Sequence, residues 1–297
     1  MLDYRIDTFL AVCRCMNLTR AAEQLNITQP AVTQHIHYLE DYYESKLLNF
    51  EGKKMYLTKA GEILYQAFVT MKQDEHYLKE SLDDIDQWRK RLIFGVTLTI
   101  GEFVMADHIK AYSELFPDVE LRMLVENTSS LLDKLKHGSI DFALIEGNFD
   151  KKGFDSLVYS REQYIPVCSK HYSFAKEPKQ LSDLISERII IREEGSGTRE
   201  ILEKSLDAKN LVFKDFRHVI EIGEMNAIKS IVASGYGITF LYKAAVKKEL
   251  KEGLLREIKL KDFQVMHDFS FVWNKGSIFE ENYQEIYRLL KNPIERD

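Results

Sequence analysis

TRAAEQLNITQPAVTQHIHYLE, residues 19–40, decides how the first part of this chain folds. Asn17 and Thr19 stand as candidate N-caps for a short helix, TRAAEQL, in which Ala21 and Ala22 are small enough for close helix contact. After the break Asn26-Ile27-Thr28 a further helix opens with Gln29 and Pro30. Thr28 is placed to cap it, and Pro30 fits only a first turn, where its missing N–H has no role. Within QPAVTQHIHYLEDYY, Val32, Ile36, Leu39 and Tyr43 share one face, so Gln29, Ala31, Thr33, Gln34 and His37 look toward solvent or a partner. A short helix, a tight turn and a polar-faced second helix make a helix-turn-helix pattern.

Upstream, DYRIDTFLAVCRCM places Ile6, Phe9, Leu10 and Cys13 at helical spacing and predicts a first amphipathic helix. Downstream, LLNFEGKKMYLT reads as two short strands around Gly52, a wing. From Lys59 to Arg91 there is no proline and only Gly61, and Leu64, Phe68, Met71, Leu78, Leu82 and Ile85 alternate by fours and threes, with Glu75 in the missing place. This seam predicts a long helix paired with a second copy of itself; the competing reading packs the helix along its own C-terminal domain.

Of the 297 residues, 45% are hydrophobic and 30% charged, which excludes a disordered chain, and no apolar run approaches the roughly 18 residues of a spanning helix. MLDYRID carries acids and lacks the layout of a signal peptide, so a cytoplasmic protein without membrane contact is expected. Cys13, Cys15 and Cys168 are an odd set, read as reduced core thiols, and Cys168 has no nearby second cysteine for an intramolecular switch. The net charge of -6 argues weakly against nucleic acid as partner of the whole molecule, although one basic face is compatible with it.

Beyond Arg91 strands and helices alternate. RLIFGVTL, VELRMLVE, SIDFALIEG, EQYIPVCS, ERIIIRE, FRHVIEIG and YGITFLY read as strands, and GEFVMADHIKAYSELF and SSLLDKLKHG as helices, with others starting near Thr198 and Met225. The alternation predicts parallel sheets with helices on both faces, in two halves, with a ligand cleft at the carboxyl ends of the strands. One rim should collect Thr97, Thr99, Ile100, Gly101, Asn127, Thr128 and Glu146, and the facing half Gly195, Ser196, Gly197, Thr198, Arg199, Gly223, Glu224 and Met225. In REEGSGTRE, residues 192–200, glycines admit a close ligand, hydroxyls line it, and helix-start amides point at an anion. Arg192 or Arg199 would supply the countercharge. Arg199 equally suits an ion pair with Glu203, Asn127 and Thr128 suit helix caps, and Glu146 would repel a bare anion but accept a bond from an effector hydroxyl or a rim arginine.

The residues FLAVCRCMNLTRAAEQLNITQPAVTQHIHYLE, the LTKAG before the long helix, IDFALIEG, GSGTR and ASGYGIT together resemble the LysR-type transcriptional regulators over nearly the whole chain. TIGEF, Asn127-Thr128, Ile145 to Gly147 and REEGSGTRE look most like the sulfur-assimilation and carbon-fixation branch. The resemblance implies an all-α winged helix-turn-helix domain over residues 1–59, a dimerising linker helix over 60–90, and an α/β periplasmic-binding-protein-like effector domain over 91–297. It divides the last into subdomain I (about 91–161 and 267–297) and subdomain II (about 162–266). It further implies a homodimer or homotetramer on a double-stranded DNA operator, RNA polymerase as partner if the protein activates, a small anionic effector, and no cofactor. Thr19, Thr28, Gln29, Pro30, Ala31, Thr33, Gln34 and His37 would meet DNA; glutamine amides suit adenine edges, and the Pro30 ring and Ala31 methyl suit thymine methyls. Lys53 and Lys54 would hold phosphates. Residues 1–60 depart from the family in carrying seven bases against seven acids, which implies a shallow salt dependence and reliance on avidity between copies.

Catalysis fits poorly. GSGTR lacks phosphate-loop, dinucleotide and Gly-x-Ser-x-Gly spacing, and the effector region has no metal-like histidine pair. The remaining alternative is an anion-binding module that acts through protein contacts rather than DNA, which salt-sensitive retention on DNA would exclude.

Overall fold

The computed structural model describes residues 2–52, 54–83 and 91–291. Lys53, Ile85, the end of the expected linker helix and the last six residues lie outside the described residues.

Three helices, α1 (Tyr4–Cys15), α2 (Leu18–Leu25) and α3 (Gln29–Tyr42), precede a hairpin of β1 (Leu48–Glu51) and β2 (Lys54–Leu57). Side-chain caps set the helix starts: Asp3 accepts from Arg5 N, Asn17 from Arg20 N, and Thr28 from Ala31 N. Asn26, at φ 54°, ends α2 in the left-handed conformation and turns the chain into α3. Phe9, Val12, Ala21, Val32, Ile36, Leu39 and Leu47 form one core, closed from below by Phe68 of α4 (Lys59–Asp83).

Helix α4 divides its seam. Leu64 and Phe68 pack into the N-terminal core, whereas Met71, Leu78 and Leu82 are exposed at 46%, 48% and 68%. An adjoining face lies on the chain's own C-terminal domain. Gln73 Nε2 donates to the Ile140 carbonyl at 3.0 Å and Gln73 Oε1 accepts from Asn274 Nδ2 at 2.9 Å; Asp74 accepts from Ser277 Oγ at 2.6 Å and Ile278 N at 3.1 Å. Packing along the chain's own domain is thus present, and an exposed apolar stripe remains beside it.

The C-terminal domain contains β3 (Arg91–Val96), α5 (Leu98–Phe103), α6 (Met105–Leu115), β4 (Glu120–Val125), α7 (Thr128–Lys136), β5 (Phe142–Ile145) and β6 (Phe154–Ser169). It continues with β7 (Arg188–Ile191), α8 (Gly197–Asp207), β8 (His218–Glu221), α9 (Met225–Ala233), β9 (Ile238–Tyr242), α10 (Lys247–Glu252), β10 (Leu255–Glu257), β11 (Val265–Asn274) and α11 (Glu280–Lys291). One nine-stranded sheet runs β4-β3-β5-β11-β6-β9-β7-β8, with β10 on β6.

Two expectations need correction. The sheet is mixed, not parallel: β6 and β11 pair antiparallel with each other, and with β9 and β5 respectively. Parallel pairing is confined to β4-β3-β5 in one half and β8-β7-β9 in the other, so two long crossing strands join the halves. The helix expected from Gly101 begins instead at Leu98 and breaks at Val104, where φ is -124°. Gly101 N bonds the Thr97 carbonyl at 2.8 Å, which winds the end of RLIFGVTL into helix.

Candidate functional site

Two surfaces collect the candidate residues. On the N-terminal domain, α3 buries Val32, Ile36, Leu39 and Glu40 and turns Gln29, Pro30, Gln34 and His37 outward, with Ala31 and Thr33 half-buried beside them. Thr19 and Lys54 are exposed on α2 and the wing; Thr28 is exposed at the cap of α3. Gln29 Nε2 donates to Thr33 Oγ1 at 2.8 Å, which holds the first turn's amide flat along the helix. Tyr38, exposed at 45%, carries the Arg5 guanidinium 3.8 Å above its ring and was not among the sequence candidates. Its signal was available, since it follows His37 on the polar face. Glu40 lies beneath this surface. Burial works to raise its carboxyl, but the Lys46 ammonium at 2.6 Å and the Leu47 amide at 2.9 Å hold it below the usual carboxylate range.

The second surface is the cleft between the halves of the C-terminal domain, at the carboxyl ends of β3, β4, β5, β7 and β8. Thr97 precedes α5, and Thr99, Ile100 and Gly101 occupy its first turns. Asn127 caps α7 by accepting from Ser130 N at 2.9 Å, and Thr128 donates to the Glu146 carbonyl at 2.8 Å. Both have the structural jobs that caps and turns would give them. Arg192 follows β7, Ser196 precedes α8, and Glu224 caps α9 by accepting from Asn226 N and Ala227 N at 2.9 and 2.5 Å. Gly223 lies beside Glu193 in the loop before α9, and Met225 is fully buried.

The halves touch at the cleft floor. Thr198 Oγ1 donates to Glu146 Oε1 at 2.5 Å and Ser129 N to the Gly195 carbonyl at 3.3 Å. A Cβ on Gly147, which has φ +89°, would lie 2.6 Å from Gly197 Cα, and one on Gly197 would lie 2.2 Å from the Glu146 carbonyl. Only glycine at both positions permits this approach.

Around that contact buried polar atoms find no protein partner: Thr97 Oγ1, Thr99 Oγ1, Glu146 Oε2, Arg192 Nη1, Ser196 Oγ and Tyr242 OH. Buried polar atoms are otherwise almost always paired, so a group of orphans on the residues that flank the contact between the halves marks a candidate place for a ligand. Ser196 makes no side-chain cap bond, and the first amides of α8 have no acceptor within the helix. Burial pushes the Glu146 carboxyl above its ordinary range; the bonded Thr198 hydroxyl, the neighbouring Thr99 hydroxyl and the Arg192 charge oppose the shift without cancelling it.

Arg199 is engaged with carboxylates and with the Arg192 carbonyl, 3.4 Å from its Nη1. Its Nε bonds Glu203 Oε1 at 2.7 Å and its Nη1 bonds Glu221 Oε2 at 2.7 Å. Arg192 is buried with Nε and Nη2 held by Glu193 at 2.8 and 2.9 Å. Cys168 is fully buried, with its thiol pushed up by burial to about 11, which suits a core thiol rather than a reactive one.

Residues 4–62 match the model described as bacterial regulatory helix-turn-helix protein, lysR family, and residues 86–292 match the LysR substrate binding domain. The HTH-type transcriptional regulator CysL of Bacillus subtilis is 27% identical over 97% of this chain and 96% of its own. A probable RuBisCO transcriptional regulator of Thalassiosira pseudonana is 27% identical over 97% of each. These relatives support the sulfur-assimilation and carbon-fixation branch. Among solved structures, the regulatory domain of CcmR from Synechocystis PCC6803 in complex with 2-PG superposes with a TM-score of 0.59 at 19% identity, over 68% of this chain and 98% of that one.

Proposed function

The chain belongs to the LysR family of DNA-binding transcriptional regulators, and from that premise we propose that it reports the level of a small metabolite bearing an anionic group, held in the cleft between the two halves of its C-terminal domain. The observation that carries this reading is the set of buried, unpartnered polar atoms, Ser196 Oγ and Arg192 Nη1 among them, on the residues that flank the contact between the halves. Ser196, the free amides of α8 and the Arg192 Nη1 atom supply donors for the anionic end. The regulatory domain of CcmR, of the same fold, is solved in complex with 2-PG, which supports a small anion as the kind of ligand such a domain takes.

Ligand entry must part the Thr198–Glu146 contact or complete it, and either event changes how the halves meet. Because α4 is bonded to the C-terminal domain through Gln73 and Asp74 and to the N-terminal core through Phe68, such a change is transmitted to the recognition helix α3. The protein acts in the cytoplasm as a homodimer or homotetramer, with Gln29, Pro30, Ala31, Thr33, Gln34 and His37 toward the DNA bases, Thr19, Thr28, Lys53 and Lys54 toward the backbone, and RNA polymerase as the partner where it activates. It performs no catalysis and uses no cofactor.

The test is thermal melting of the full-length protein against small anions: sulfite, sulfate, thiosulfate, phosphorylated acids and dicarboxylates. A selective rise, removed by Ser196→Ala with Thr198→Ala, is expected, followed by a change in operator affinity with the same compound. If operator affinity is unchanged by a compound that stabilises the protein, the regulatory reading fails.

A further inference from the structure

The proposed site is acidic beyond what a bare anion tolerates, and the charges can be followed group by group. Arg192, the one cation at the cleft floor named above, is already balanced by Glu193 through two bonds. The next cation outward, Lys229, is nine-tenths buried and spent on Glu249 at 2.8 Å, the Ala245 carbonyl at 3.2 Å and the Phe103 ring at 4.4 Å. Against these stand Glu146 at the floor, and Glu102 of α5 and Glu224 of α9, which feel each other's charge from opposite halves. Glu224 is exposed and spends both oxygens on the amides of α9, so Arg192 paired with Glu193 and Lys229 paired with Glu249 leave Glu146 and Glu102 to share cations that are already bonded elsewhere.

The orphaned atoms also divide by chemistry. Arg192 Nη1 can only donate, and it asks for an anion. Glu146 Oε2 can only accept when ionised, and it asks for a donor, best a charged one. The hydroxyls of Thr97, Thr99, Ser196 and Tyr242 serve either end. A dianion satisfies Arg192 and leaves Glu146 facing like charge. A neutral hydroxy compound satisfies the hydrogen bond and leaves the charge uncompensated.

We infer that the effector is a zwitterion of the amino-acid class, its acid group at the start of α8 beside Ser196 and Arg192 Nη1, and its ammonium against Glu146 Oε2 and the α5 hydroxyls. The inference rests on the cleft reading above and narrows it. An ammonium offers three donors, matching Glu146 Oε2 and the oxygens of Thr97 and Thr99. Binding would leave the Thr198–Glu146 bond in place, since it uses the other carboxylate oxygen, and so would tighten the contact between the halves.

The experiment melts the full-length protein with each proteinogenic L-amino acid and O-acetylserine, with the N-acetyl derivative of each, and with sulfate, phosphate and phosphoglycolate. N-acetylation keeps the acid and removes the ammonium. The expected result is that one or a few free amino acids raise Tm by several degrees, that their N-acetyl forms do not, and that Glu146→Gln weakens the free amino acid at least tenfold. Gln keeps the size and the acceptor for Thr198, and the variant's melting without ligand reports whether it folds. If N-acetyl forms or amine-free anions stabilise wild type and Glu146→Gln alike, and Ser196→Ala with Thr198→Ala abolishes the effect, the zwitterion is overturned while the cleft remains the sensor. If no compound shifts the wild type, the zwitterion is overturned; if the amine-free anions shift wild type and the Ser196→Ala, Thr198→Ala variant equally, the cleft reading falls with it.

Discussion

Thr198 Oγ1 meets Glu146 Oε1 at 2.5 Å across the two halves of the C-terminal domain, and the second carboxylate oxygen is buried without a partner. A carboxyl held this way is costly to ionise, which gives the folded protein a definite pH response. Glu146 faces Arg192 and Glu193 from the end of β7, Tyr164 from β6 and Tyr242 from β9. Its folded pKa is raised, so the native state keeps a proton over a range where the unfolded chain, with Glu near about 4.3, has lost it. Stability therefore falls as pH rises from that unfolded value through the folded one. Glu146→Gln should flatten this part of the profile and raise Tm at neutral pH relative to wild type. Melting curves from about pH 5 to about pH 8 test it, and an unchanged slope in the variant removes the argument.

Gly197→Ala should separate the halves at one point. Its Cβ would lie 2.2 Å from the Glu146 carbonyl and 2.8 Å from Thr128 Oγ1, and backbone on that side has nowhere to yield. Overpacking of this kind costs about 1–3 kcal/mol. Lower Tm and faster proteolysis between the halves are expected, measured by calorimetry and limited digestion. A variant as stable as wild type means that the halves are already apart in solution.

How much of this was written in the chain depends on the range of the signal. The helix-turn-helix was legible because its punctuation is local: Asn17, Thr28 and Pro30 act within a turn of where they stand. The Arg199–Glu203 pair was legible for the same reason, being one turn apart, whereas the second partner Glu221 comes from β8. Strands flanked by helices were readable by alternation. VMHDFSFVWN in β11 and the first half of β6 fall outside the strands read from the sequence, and their antiparallel pairing, which joins the halves, has no local mark. The Glu146–Thr198 bond spans 52 positions, and the unpartnered atoms around it exist only once five strand ends converge.

Glu40 predicts a structural phenotype in the DNA-binding domain. Its buried carboxylate accepts the Leu47 amide at 2.9 Å, so it ties the end of the recognition helix to the start of the wing. Glu40→Ala leaves that buried N–H without an acceptor, at about 1–3 kcal/mol. Because Lys46 and the Leu47 amide overcome burial and hold its pKa below the usual value, the contribution is present above the unfolded pKa and lost as pH falls through the folded one. Denaturant titration near neutral pH should show the loss and acid conditions should shrink it. Equal destabilisation at both would contradict the assignment.

Met71, Leu78 and Leu82 leave an apolar stripe on α4 beside the face that binds the C-terminal domain. Burying one leucine against a second copy is worth about 1.5–3 kcal/mol, and tenfold in an equilibrium constant is about 1.4 kcal/mol. Leu78→Asp or Leu82→Asp should therefore raise the dimer dissociation constant at least tenfold, read by light scattering across a dilution series. Unaltered association places the interface elsewhere.

The recognition helix and the wing should fail in different ways. Gln34 projects its amide from the exposed face of α3, where a bidentate bond to a base edge discriminates by about 1–3 kcal/mol, so Gln34→Ala should relax sequence preference at one operator position. Lys54 is an exposed ammonium on β2, and a phosphate contact there adds about 0.9 to the slope of log affinity against log salt. Lys54→Ala should weaken binding evenly across sequences and reduce that slope by about one contact. Because the first sixty residues carry as many acids as bases, the total slope should be small for the family's size of interface, and it should roughly halve in a variant that no longer dimerises. Salt titrations of wild type, Gln34→Ala and Lys54→Ala on the same operator decide the matter; a slope change with Gln34→Ala and none with Lys54→Ala would reverse the two roles.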